Sequence, residues 1–582
     1  METPFITPVE ILQQRAQATP DKLAFALLDQ GETETERVTY AELDRSARQI
    51  AAYLQAISQP GERAMLIFPP GLDFVRALYG CLYAGVVPIP TNPPGLARSA
   101  GRLYAIVKDS QASLVMTTPE LHMLFQAYIG TYPDLQEIRW LDSATLQANL
   151  DPQAPWQPPD LSPERLAFIQ YTSGSTNTPK GVMISYRNLS YNRYVIGEVR
   201  KHEMASSEQA VIMNWVPLFH DMGLIAGIFQ SVYDGTPSIL INPIAFMQKP
   251  ARWLQAISQY RATASGGPNF AYELCILKVT PQECEGLDLS SWKVAYNSAE
   301  PVRAATQDRF SEKFAPYGFQ PEAFYPCYGL AEATLLVSAY GEAQRTVTLS
   351  VDRAALEQGK IVACEPSSED HQELVSCGPP LLGLKVAIVD PATCERCAPD
   401  DIGEIWVQGE NIGEGYWNNP QDTAETFQAH IHPTGEGPFL RTGDLGFMYE
   451  GNLYVTGRQK DLIIVRGRNY YPQDVELTVQ NSHPAMRPGS GAVFAVETSN
   501  MERLVVVQEV RHRHNGDQGW EEVIKKIRHD IAREHGIRAH SVLLIGKGDI
   551  SKTSSGKIMR AECRQRFLES DYDIVADWRA PG

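Results

Sequence analysis

The sequence predicts an α/β protein with two domains. A large N-terminal domain of α/β sheet subdomains and a β region is followed by a small, mobile α+β domain. Short apolar runs alternate with helical patterns over most of the chain. The pattern of predicted elements changes near residue 460. A chain of 582 residues is long enough for several hydrophobic cores. We therefore expect an N-terminal domain of residues 1–459 and a C-terminal domain of residues 460–582.

The first clear elements form a β-α-β unit. Ala64–Phe68 reads as a buried strand, Leu72–Leu82 as a helix and Val86–Pro90 as a second strand. Two strands joined by a helix in this way pair in parallel, so the unit predicts a parallel sheet.

Further strand patterns end just before polar residues. In open α/β sheets ligands bind beyond the carboxyl ends of the strands, so we expect the functional site there. These predicted strands are Leu166–Tyr171, Val211–Val216, Ser238–Ile241, Thr263–Ser265, Val294–Asn297 and Ala323–Tyr325.

The second half of the chain predicts antiparallel strands and then the small domain. Gly403–Gln408 and Leu453–Thr456 belong to the β region. Within the small domain we expect two paired strands, an amphipathic helix and a last strand. The seven residues after Val575, ADWRAPG, would suit a linker. The elements of the small domain are Ala492–Val496, Leu504–Glu509, Trp520–His535 and Ser541–Ile545.

Composition excludes several classes of function. The net charge of −18 argues against nonspecific nucleic-acid binding and against docking on anionic membranes. No apolar run is long enough to span a membrane, and the N-terminal residues lack a secretory pattern. Cys394 and Cys397 form a C-x-x-C pair without a second pair, which favours two reduced thiols over a zinc site. We therefore expect a cytoplasmic protein with no stable membrane insertion.

The segment Tyr171–Gly181 (YTSGSTNTPKG) offers hydroxyls, close-approaching backbone N–H groups and Lys180 to phosphate oxygens. It predicts the place where ATP phosphates are held. The nucleoside-triphosphate P-loop does not fit, because Lys180 precedes Gly181 and Val182 follows it. Taken alone, the segment would be an ordinary polar loop.

Five further segments make the functional interpretation specific. In this order and spacing they resemble the adenylate-forming superfamily of acyl-CoA synthetases, peptide-synthetase adenylation domains and luciferases, and the resemblance covers nearly the whole chain. The segments are Asn297–Pro301 (NSAEP), Tyr325–Thr334 (YPCYGLAEAT), Arg441–Gly446 (RTGDLG), Gly457–Gly467 (GRQKDLIIVRG) and Lys552–Arg560 (KTSSGKIMR).

Within that superfamily the chain is most similar to fatty acyl-AMP ligases. Asn214–Ile225 (NWVPLFHDMGLI), NSAEP and Gly467–Glu476 (GRNYYPQDVE) are typical of that branch. So is the long insertion Tyr340–Ser376, which is shorter in the CoA-forming relatives. This insertion is either a tolerated surface segment or an element that packs on the C-terminal domain and restricts its rotation.

The resemblance implies an ATP-dependent ligase that uses Mg²⁺. A fatty acid and ATP give fatty acyl-AMP and pyrophosphate. The acyl group then passes to the phosphopantetheine thiol of an acyl carrier protein or of a polyketide or peptide synthase module. Between the two steps the small domain is expected to rotate near Lys460. Such carriers are acidic, so a local basic patch is expected at Arg511, His512 and Arg513 or at Lys525, Lys526 and Arg528.

The same resemblance implies the site residues. The phosphate loop is matched by Thr172, Ser173, Gly174, Ser175, Thr176 and Lys180. Ser298, Ala299, Glu300, Tyr328 and Gly329 match the adenine pocket, with the Tyr328 ring on the base. Asp444 and Arg458 are matched to the ribose, Glu332 to the Mg²⁺ ligand, and Lys557 to the lysine between the attacking carboxylate and the α-phosphate.

Some alternatives stay open at this point. His220 either gates an acyl tunnel or positions the carboxylate, but a buried histidine with satisfied hydrogen bonds is nearly as good an interpretation. Met222–Phe229 lines the tunnel or is plain core. Cys327 departs from many relatives and would alter adenine contacts slightly. As whole functions, an acyl-CoA synthetase, a non-catalytic acyl-adenylate-binding domain and an amino-acid-activating domain remain rivals.

Overall fold

The structure, a computed structural model, describes most of the chain and confirms the predicted mixed α/β class. The described residues are 4–93, 97–129, 135, 137–172, 179–199, 210–341, 346–368, 370–465, 468–498, 501–511, 518–553 and 556–580.

The strands are short and belong to several separate sheets. In chain order they are β1 Leu23–Leu28, β2 Glu36–Thr39, β3 Arg63–Ile67, β4 Val87–Thr91, β5 Leu114–Thr117, β6 Arg139–Asp142, β7 Leu166–Thr172, β8 Lys180–Ser185, β9 Ile212–Asn214, β10 Ser238–Ile241, β11 Ala264–Gly267, β12 Val294–Asn297, β13 Phe324–Gly329, β14 Leu336–Ala339, β15 Thr348–Asp352, β16 His371–Val375, β17 Lys385–Val389, β18 Gly403–Gln408, β19 Gly415–Tyr416, β20 Ala429–Ile431, β21 Glu436–Tyr449, β22 Asn452–Arg458, β23 Ile463–Val465, β24 Arg468–Tyr470, β25 Met486–Thr498, β26 Met501–Val510, β27 Ala539–Ile545 and β28 Ile574–Arg579.

The helices surround these sheets. A π-helix, Met222–Phe229, leads directly into the α-helix that follows it. The α-helices are α1 Pro8–Ala18, α2 Tyr40–Ile57, α3 Leu72–Ala84, α4 Ala97–Ser110, α5 Pro119–Ile129, α6 Ser143–Asn149, α7 Tyr186–Val199, α8 Gln230–Asp234, α9 Pro243–Gln248, α10 Ala251–Tyr260, α11 Asn269–Lys278, α12 Ala304–Phe314, α13 Arg353–Leu356, α14 Pro420–Phe427, α15 Pro472–Ser482, α16 Gln518–His535 and α17 Arg560–Glu569.

The first two helices begin where the sequence supplies capping residues. At α2, the Thr39 hydroxyl accepts a hydrogen bond from the backbone N–H of Glu42, and the Glu42 carboxylate accepts one from the N–H of Thr39. Thr7 and Glu10 form the same capping box at α1. Because these bonds satisfy N–H groups that have no partner inside the helix, they fix both starting points.

The central sheet has eight strands in the order β14-β13-β12-β11-β9-β10-β1-β2. Its inner pairs are parallel, and only the outer strands β2 and β14 run antiparallel to their neighbours. Helices cover both faces, as a parallel sheet requires. On one face the fully buried rings of Trp253 and Trp292 pack edge to face with centroids 5.2 Å apart.

The predicted β-α-β unit is confirmed in a second, four-stranded sheet ordered β4-β3-β5-β6. Strands β3 and β4 pair in parallel, with Ala64 opposite Pro88, and α3 connects them. Helix α3 ends at Gly85, whose φ of 75° is in the left-handed region that favours glycine.

The predicted phosphate segment lies elsewhere than we expected. Strands β7 and β8, which flank it, form an antiparallel pair with Tyr171 opposite Gly181. Together with β19 they make a separate three-stranded sheet, so β7 is not a strand of the parallel sheet. The two described ends of the segment are therefore paired antiparallel with each other, and the expectation that it follows a parallel strand is wrong.

The C-terminal domain is built on a four-stranded sheet ordered β25-β26-β27-β28. The predicted pair β25 and β26 is antiparallel. The prediction that Ser541–Ile545 is the last strand is wrong, because β28 pairs antiparallel with β27 and places Trp578 opposite Val542. Four of the seven residues that would suit a linker therefore belong to this sheet.

The insertion Tyr340–Ser376 contributes β15, α13 and β16. Its Val351 and Leu356 side chains are buried in a cluster with Tyr471. The Glu357 carboxylate lies 3.3 Å from the Arg468 guanidinium, and the Glu357 carbonyl accepts a 2.8 Å hydrogen bond from the N–H of Asn469. The insertion is therefore packed against the C-terminal domain and is not a loose surface segment.

Within the described ranges no helix is both long and apolar enough to cross a membrane. Nor do three metal-ligating His, Cys, Asp or Glu side chains come together in that part of the chain. Cys394 and Cys397 are free thiols. Of the predicted basic patches, His512 and Arg513 lie outside the described residues.

Candidate active site

One cavity of about 1780 Å³ is shared by the N-terminal and C-terminal domains. It brings together every predicted site residue that the structure describes, although these residues come from segments far apart in the sequence. They are Thr172, Lys180, His220, Ser298, Ala299, Glu300, Tyr328, Gly329, Glu332, Asp444, Arg458 and Lys557. Ser173, Gly174, Ser175 and Thr176 lie outside the described residues.

Asp444 is held between an aromatic hydroxyl and a guanidinium. The Tyr328 hydroxyl, at the end of β13, donates a 2.7 Å hydrogen bond to Asp444 Oδ2. Arg458 Nε lies 3.2 Å from Asp444 Oδ1, because the two residues are opposite each other on β21 and β22. The charge of Asp444 raises the pKa of Arg458. Asp444 is therefore a buried carboxylate of fixed orientation, facing a cavity.

The NSAEP segment leaves β12 in a strained conformation. Ala299 has a φ of 73°, which is uncommon for a residue other than glycine. The Glu300 carboxylate accepts a 2.5 Å hydrogen bond from the N–H of Phe270 at the start of α11. Burial raises the pKa of Glu300. The segment is therefore tied to α11, and strain of this kind is concentrated at functional sites.

Glu332 and Lys180 are connected through one tyrosine. The Tyr416 hydroxyl donates a 3.0 Å hydrogen bond to Glu332 Oε1. The Lys180 ammonium lies 4.9 Å from the centre of the Tyr416 ring and 2.5 Å from Asp422 Oδ2. Burial raises the pKa of Glu332. Strand β19 and helix α14 thus position both the predicted metal ligand and the phosphate lysine.

The sequence did not identify Tyr416 and Asp422 as site residues. Asn419 and Pro420 signal the start of a helix, which places Asp422 in its first turn. That signal is local. It does not reveal that Lys180, more than 200 residues earlier, lies within reach of Asp422.

His220 is paired with its neighbour Asp221, another residue that the sequence reasoning missed. The His220 Nδ1 contacts Asp221 Oδ1, and Asp221 also accepts a 2.7 Å hydrogen bond from the N–H of Met222. Burial alone would raise the pKa of Asp221, but the charges of His220 and Lys557 hold it at about 2. Asp221 is therefore an ionised group in the cavity wall.

Lys557 is carried into the cavity by a loop between β27 and α17. Gly556 has a φ of 89°, and a Cβ atom there would lie 2.9 Å from the Phe270 ring, so only glycine fits. The N–H of Lys557 donates a 3.0 Å hydrogen bond to the Thr553 hydroxyl. Burial lowers the pKa of Lys557, and the charge of Asp221 opposes that shift.

A set of three charged residues, which we call the Arg560 clamp (Arg560, Glu476 and Asp461), anchors the Lys557 loop. The Arg560 guanidinium makes two parallel hydrogen bonds of 2.8 Å to Glu476 and a third of 2.9 Å to Asp461. Bidentate arginine–carboxylate pairs fix orientation as well as position. The clamp therefore sets where the chain enters α17, three residues after Lys557.

An apolar arm of the cavity runs along one face of the central sheet. Val294, Tyr296 and Ser298 line it, and this alternation marks one face of β12. Ser298 lies four positions after Val294, a distance of about 13 Å in extended chain. The arm is lined at its far part by Ile212, Ala264 and Val294, which form a buried apolar cluster with Tyr325 against it.

Helices also contribute to the lining of this cavity. Ile196 of α7 and Met222 and Ala226 of the π-helix line the same cavity. The Tyr296 ring lies over Gly266, where a Cβ atom would be 2.5 Å from the ring. The arm is thus suited to a linear apolar group whose polar end lies near His220 and Lys557.

The fold and the cavity together are those of an enzyme with a large and a small domain that share one cavity. The chain belongs to the AMP-binding enzyme family, whose model matches residues 12–417. Residues 460–577 match a second family model, described as the AMP domain of Disco-interacting protein 2-like proteins.

Similar proteins confirm the resemblance to fatty acyl-AMP ligases. The chain is 46% identical over 584 residues to the medium-chain-fatty-acid–[acyl-carrier-protein] ligase JamA of Moorena producens, covering 99% of this chain and 97% of JamA. A fatty acyl-adenylate ligase from L. pneumophila, solved with acyl adenylate and pyrophosphate, is 38% identical with a TM-score of 0.74, and the match covers 98% of each chain. A structure from a study of such ligases from E. coli and L. pneumophila is 32% identical with a TM-score of 0.87, again over 98% of each chain.

Tyr416→Phe is expected to weaken nucleotide binding in the presence of Mg²⁺ by roughly 5-fold, because Glu332 loses a hydrogen bond worth about 1 kcal/mol. The ring that lies beside Lys180 is retained. The dissociation constant of ATP, measured by calorimetry with and without Mg²⁺, checks this. Tyr572→Phe is the matched control, since its hydroxyl donates to the Cys563 carbonyl within the C-terminal domain. Equal affinities for Tyr416→Phe and the wild type would contradict the role of Tyr416.

Proposed function

We propose that this protein is a fatty acid–AMP ligase. It activates a medium- or long-chain fatty acid with ATP, releases pyrophosphate, and passes the acyl group from acyl-AMP to the phosphopantetheine thiol of an acyl carrier protein. One observation carries this proposal: Lys557, the Tyr328–Asp444 pair and the apolar arm share a single cavity. The relatives named as ligases of fatty acids and acyl carrier proteins support it.

The first step joins two anions. A carboxylate oxygen of the fatty acid attacks the α-phosphorus of ATP, the new O–P bond forms, and the bond to the β-phosphate oxygen breaks as pyrophosphate leaves. The carboxylate is already deprotonated, so no general base is needed. The barrier is largely charge repulsion and positioning, and we assign to the Lys557 ammonium the role of offsetting charge where it develops.

We assign a positioning role to His220. The ionised Asp221 carboxylate contacts Nδ1 of His220. A proton on Nδ1 would make this contact attractive. The imidazole is then held in one orientation at the junction of the apolar arm and the nucleotide part of the cavity. There it would orient the substrate carboxylate toward Lys557.

Asp444 and Arg458 would bind the ribose, and Tyr328 would place its ring on the adenine beside Ser298, Ala299, Glu300 and Gly329. Thr172 and Lys180 would hold the β- and γ-phosphates together with Ser173, Gly174, Ser175 and Thr176, which stay predictions. Lys180 has a carboxylate partner in Asp422. Phosphate oxygens would replace that partner when ATP binds.

A magnesium ion fits the residues around Glu332. Mg²⁺ is commonly held by one or two carboxylates plus substrate phosphates rather than by an all-protein cage. Glu332 supplies one buried carboxylate, and within the described ranges no cluster of three ligating side chains competes with it. Glu332 would hold the ion, which when bound neutralises phosphate charge.

The alternative functions explain fewer of the structural observations. A non-catalytic binding domain has no need to bring Lys557 into the cavity through an anchored loop. An amino-acid-activating domain needs a carboxylate for the substrate ammonium, and Asp221 is already paired with His220. An acyl-CoA synthetase shares the first step and differs in the acceptor.

The contacts of the insertion support the choice of acceptor. Besides the Glu357 contacts, Arg353 Nη1 donates a 3.2 Å hydrogen bond to the Glu534 carbonyl. Rotation of the residues after 459 about Lys460 would break these bonds, so we propose that the insertion restricts the rotation on which CoA-dependent transfer depends. A polyketide or peptide synthase module is an equally suitable source of the carrier, and the cytoplasm is the proposed location.

Purified protein with ATP, Mg²⁺ and a fatty acid is expected to acylate a holo acyl carrier protein in preference to CoA. Mass spectrometry of the carrier and chromatography of acyl-CoA, run in parallel reactions, measure the two products. The apo carrier, which lacks the thiol, is the control. Efficient formation of acyl-CoA would instead identify an acyl-CoA synthetase.

Lys557→Ala is expected to lower fatty-acid-dependent pyrophosphate release by roughly 10²- to 10³-fold, the usual effect of removing one group that stabilises developing charge. Lys525→Ala, an exposed lysine of the same domain, is the control. Circular dichroism checks that both variants are folded. Pyrophosphate release at the wild-type rate by Lys557→Ala would remove this lysine from the mechanism.

Ala264→Leu is expected to shift the preferred substrate toward shorter fatty acids, because the larger side chain would fill the far part of the apolar arm. Pyrophosphate release over a series of acids of increasing length measures the preference. Activity retained on the shortest acids shows that the fold is intact. Ala305→Leu, on the exposed side of α12, is the matched control. An unchanged length profile would show that the acyl chain does not reach Ala264.

A further inference from the structure

The loop of residues 298–303, which joins β12 to α12, forms one wall of the shared cavity. All six of its residues line that cavity. It contains Ser298, Ala299 and Glu300, to which we assign the adenine pocket, and Ala299 has a φ of 73°. Because a residue other than glycine keeps such a conformation only when its surroundings impose it, contacts outside the loop must hold the loop in place.

Asn269, the first residue of α11, holds both ends of this loop. Its Oδ1 accepts a 3.3 Å hydrogen bond from Asn297 Nδ2, directly before the loop. The same oxygen accepts a 3.2 Å hydrogen bond from the N–H of Arg303, the last residue of the loop. An amide oxygen has two lone pairs, so both are used. The two ends of the loop are therefore fixed to a single atom.

A buried hydroxyl fixes the orientation of the Asn269 amide. Asn269 Nδ2 donates a 3.1 Å hydrogen bond to Thr306 Oγ1 on α12. The Thr306 hydroxyl in turn donates a 2.5 Å hydrogen bond to Glu273 Oε1. Because this hydroxyl gives its one proton to Glu273, it can only accept from Asn269. The nitrogen of the amide therefore faces Thr306, and the oxygen faces the loop.

Asn269 does not serve as an ordinary helix cap. An asparagine at the start of a helix commonly accepts a hydrogen bond from an N–H group of its own first turn. Helix α11 begins after Pro268 and has no such side-chain cap. Instead, Glu300 of the loop accepts the hydrogen bond from the N–H of Phe270. The loop thus caps the helix, and the helix holds the loop.

The orientation of Asn297 depends on Asn269. The Asn297 side chain is fully buried. In the part of the chain that the structure describes, Asn297 Oδ1 has no hydrogen-bond partner. Removal of the Asn269 amide would leave the nitrogen of Asn297 buried without its partner as well, which is costly. The conformation at the start of the loop is therefore sensitive to this one contact.

The same end of α11 also contacts the loop that carries Lys557. A Cβ atom at Gly556 would lie 2.9 Å from the Phe270 ring, so that ring packs directly against the residue before Lys557. Asn269 and Phe270 are adjacent in the chain. The wall that we assign to adenine and the loop that carries Lys557 are therefore positioned from the same two residues.

We infer that Asn269 is a positioning residue that fixes the loop of residues 298–303 so that the cavity accepts adenine and discriminates against guanine. The inference rests on the proposed function and adds a residue to the part that selects the nucleotide. The polar atoms of Asn269 bind protein groups, so Asn269 acts through the loop. Polar groups that recognise a base discriminate strongly only when they are held in place.

Asn269→Ala tests this inference. It is expected to raise the KM for ATP and to lower the ratio of kcat/KM for ATP to that for GTP by roughly 10-fold. The KM for the fatty acid is expected to stay unchanged. Fatty-acid-dependent pyrophosphate release with each nucleotide measures these values. Asn242→Ala is the matched control, since its amide oxygen accepts a 3.0 Å hydrogen bond from the N–H of Ile244 at the start of α9, and it is expected to keep the wild-type ratio.

Thr306→Val provides a second test from outside the cavity. The substitution keeps the shape of the side chain and removes the hydroxyl that orients the Asn269 amide. It is expected to lower the ATP-to-GTP ratio by roughly 3-fold. A purely structural role would lower the melting temperature and leave the ratio unchanged. If Asn269→Ala does not fold, the ratio measured for Thr306→Val decides.

The outcomes separate the inference from the proposed function. Wild-type protein that binds AMP but releases no fatty-acid-dependent pyrophosphate would overturn the proposed function. The affinities of the same variants for AMP and GMP, measured by calorimetry, would then still test Asn269. An active wild type with an unchanged ATP-to-GTP ratio in both Asn269→Ala and Thr306→Val would overturn only the inference, as would an active wild type without a preference for ATP.

Discussion

The Arg560 clamp is the interaction on which the site depends most. Lys557 belongs to the small domain, yet it lines the cavity together with groups of the large domain. The guanidinium of Arg560 is fixed by two carboxylates at once, and the Glu476 contact is bidentate. Glu476 lies on α15 and Asp461 in the segment that joins the domains. The catalytic loop, the first helix of the small domain and the interdomain segment are therefore positioned together.

The charged groups inside the cavity are arranged so that bound substrates would balance them. Asp221, Glu332 and Asp444 are acidic, whereas Lys557 and Arg458 are basic. Burial and neighbouring charges shift the pKa of Asp221, Glu332, Lys557 and Arg458. A triphosphate would add negative charge beside carboxylates, which is unfavourable unless a cation accompanies it. Glu332 is the ligand that we propose for that cation, and Tyr416 connects this carboxylate to Lys180.

Sequence reasoning succeeded where the signal is local. The β-α-β unit around α3 and strands β10 and β12 follow from short patterns of apolar residues. Motifs identified Lys557 and Asp444, which both line the cavity, and their roles stay predictions. It failed where the structure depends on contacts between segments that are far apart in the sequence. The antiparallel pair of β7 and β8 looks like any buried strand followed by a polar loop, and β28 pairs only because β27 offers it an open edge. The contacts of Tyr416 and Asp422 likewise join segments that no local pattern connects.

The contacts between the insertion and the small domain bear on how an acceptor reaches acyl-AMP. Glu357 and Arg353 of the insertion bind the small domain, and Arg303 of the large domain donates a 2.8 Å hydrogen bond to the Gln473 carbonyl. These contacts stabilise the arrangement in which Lys557 faces the cavity. Rotation of the small domain would break them, so the contacts that hold Lys557 in place also oppose the rotation on which we propose that CoA-dependent transfer depends.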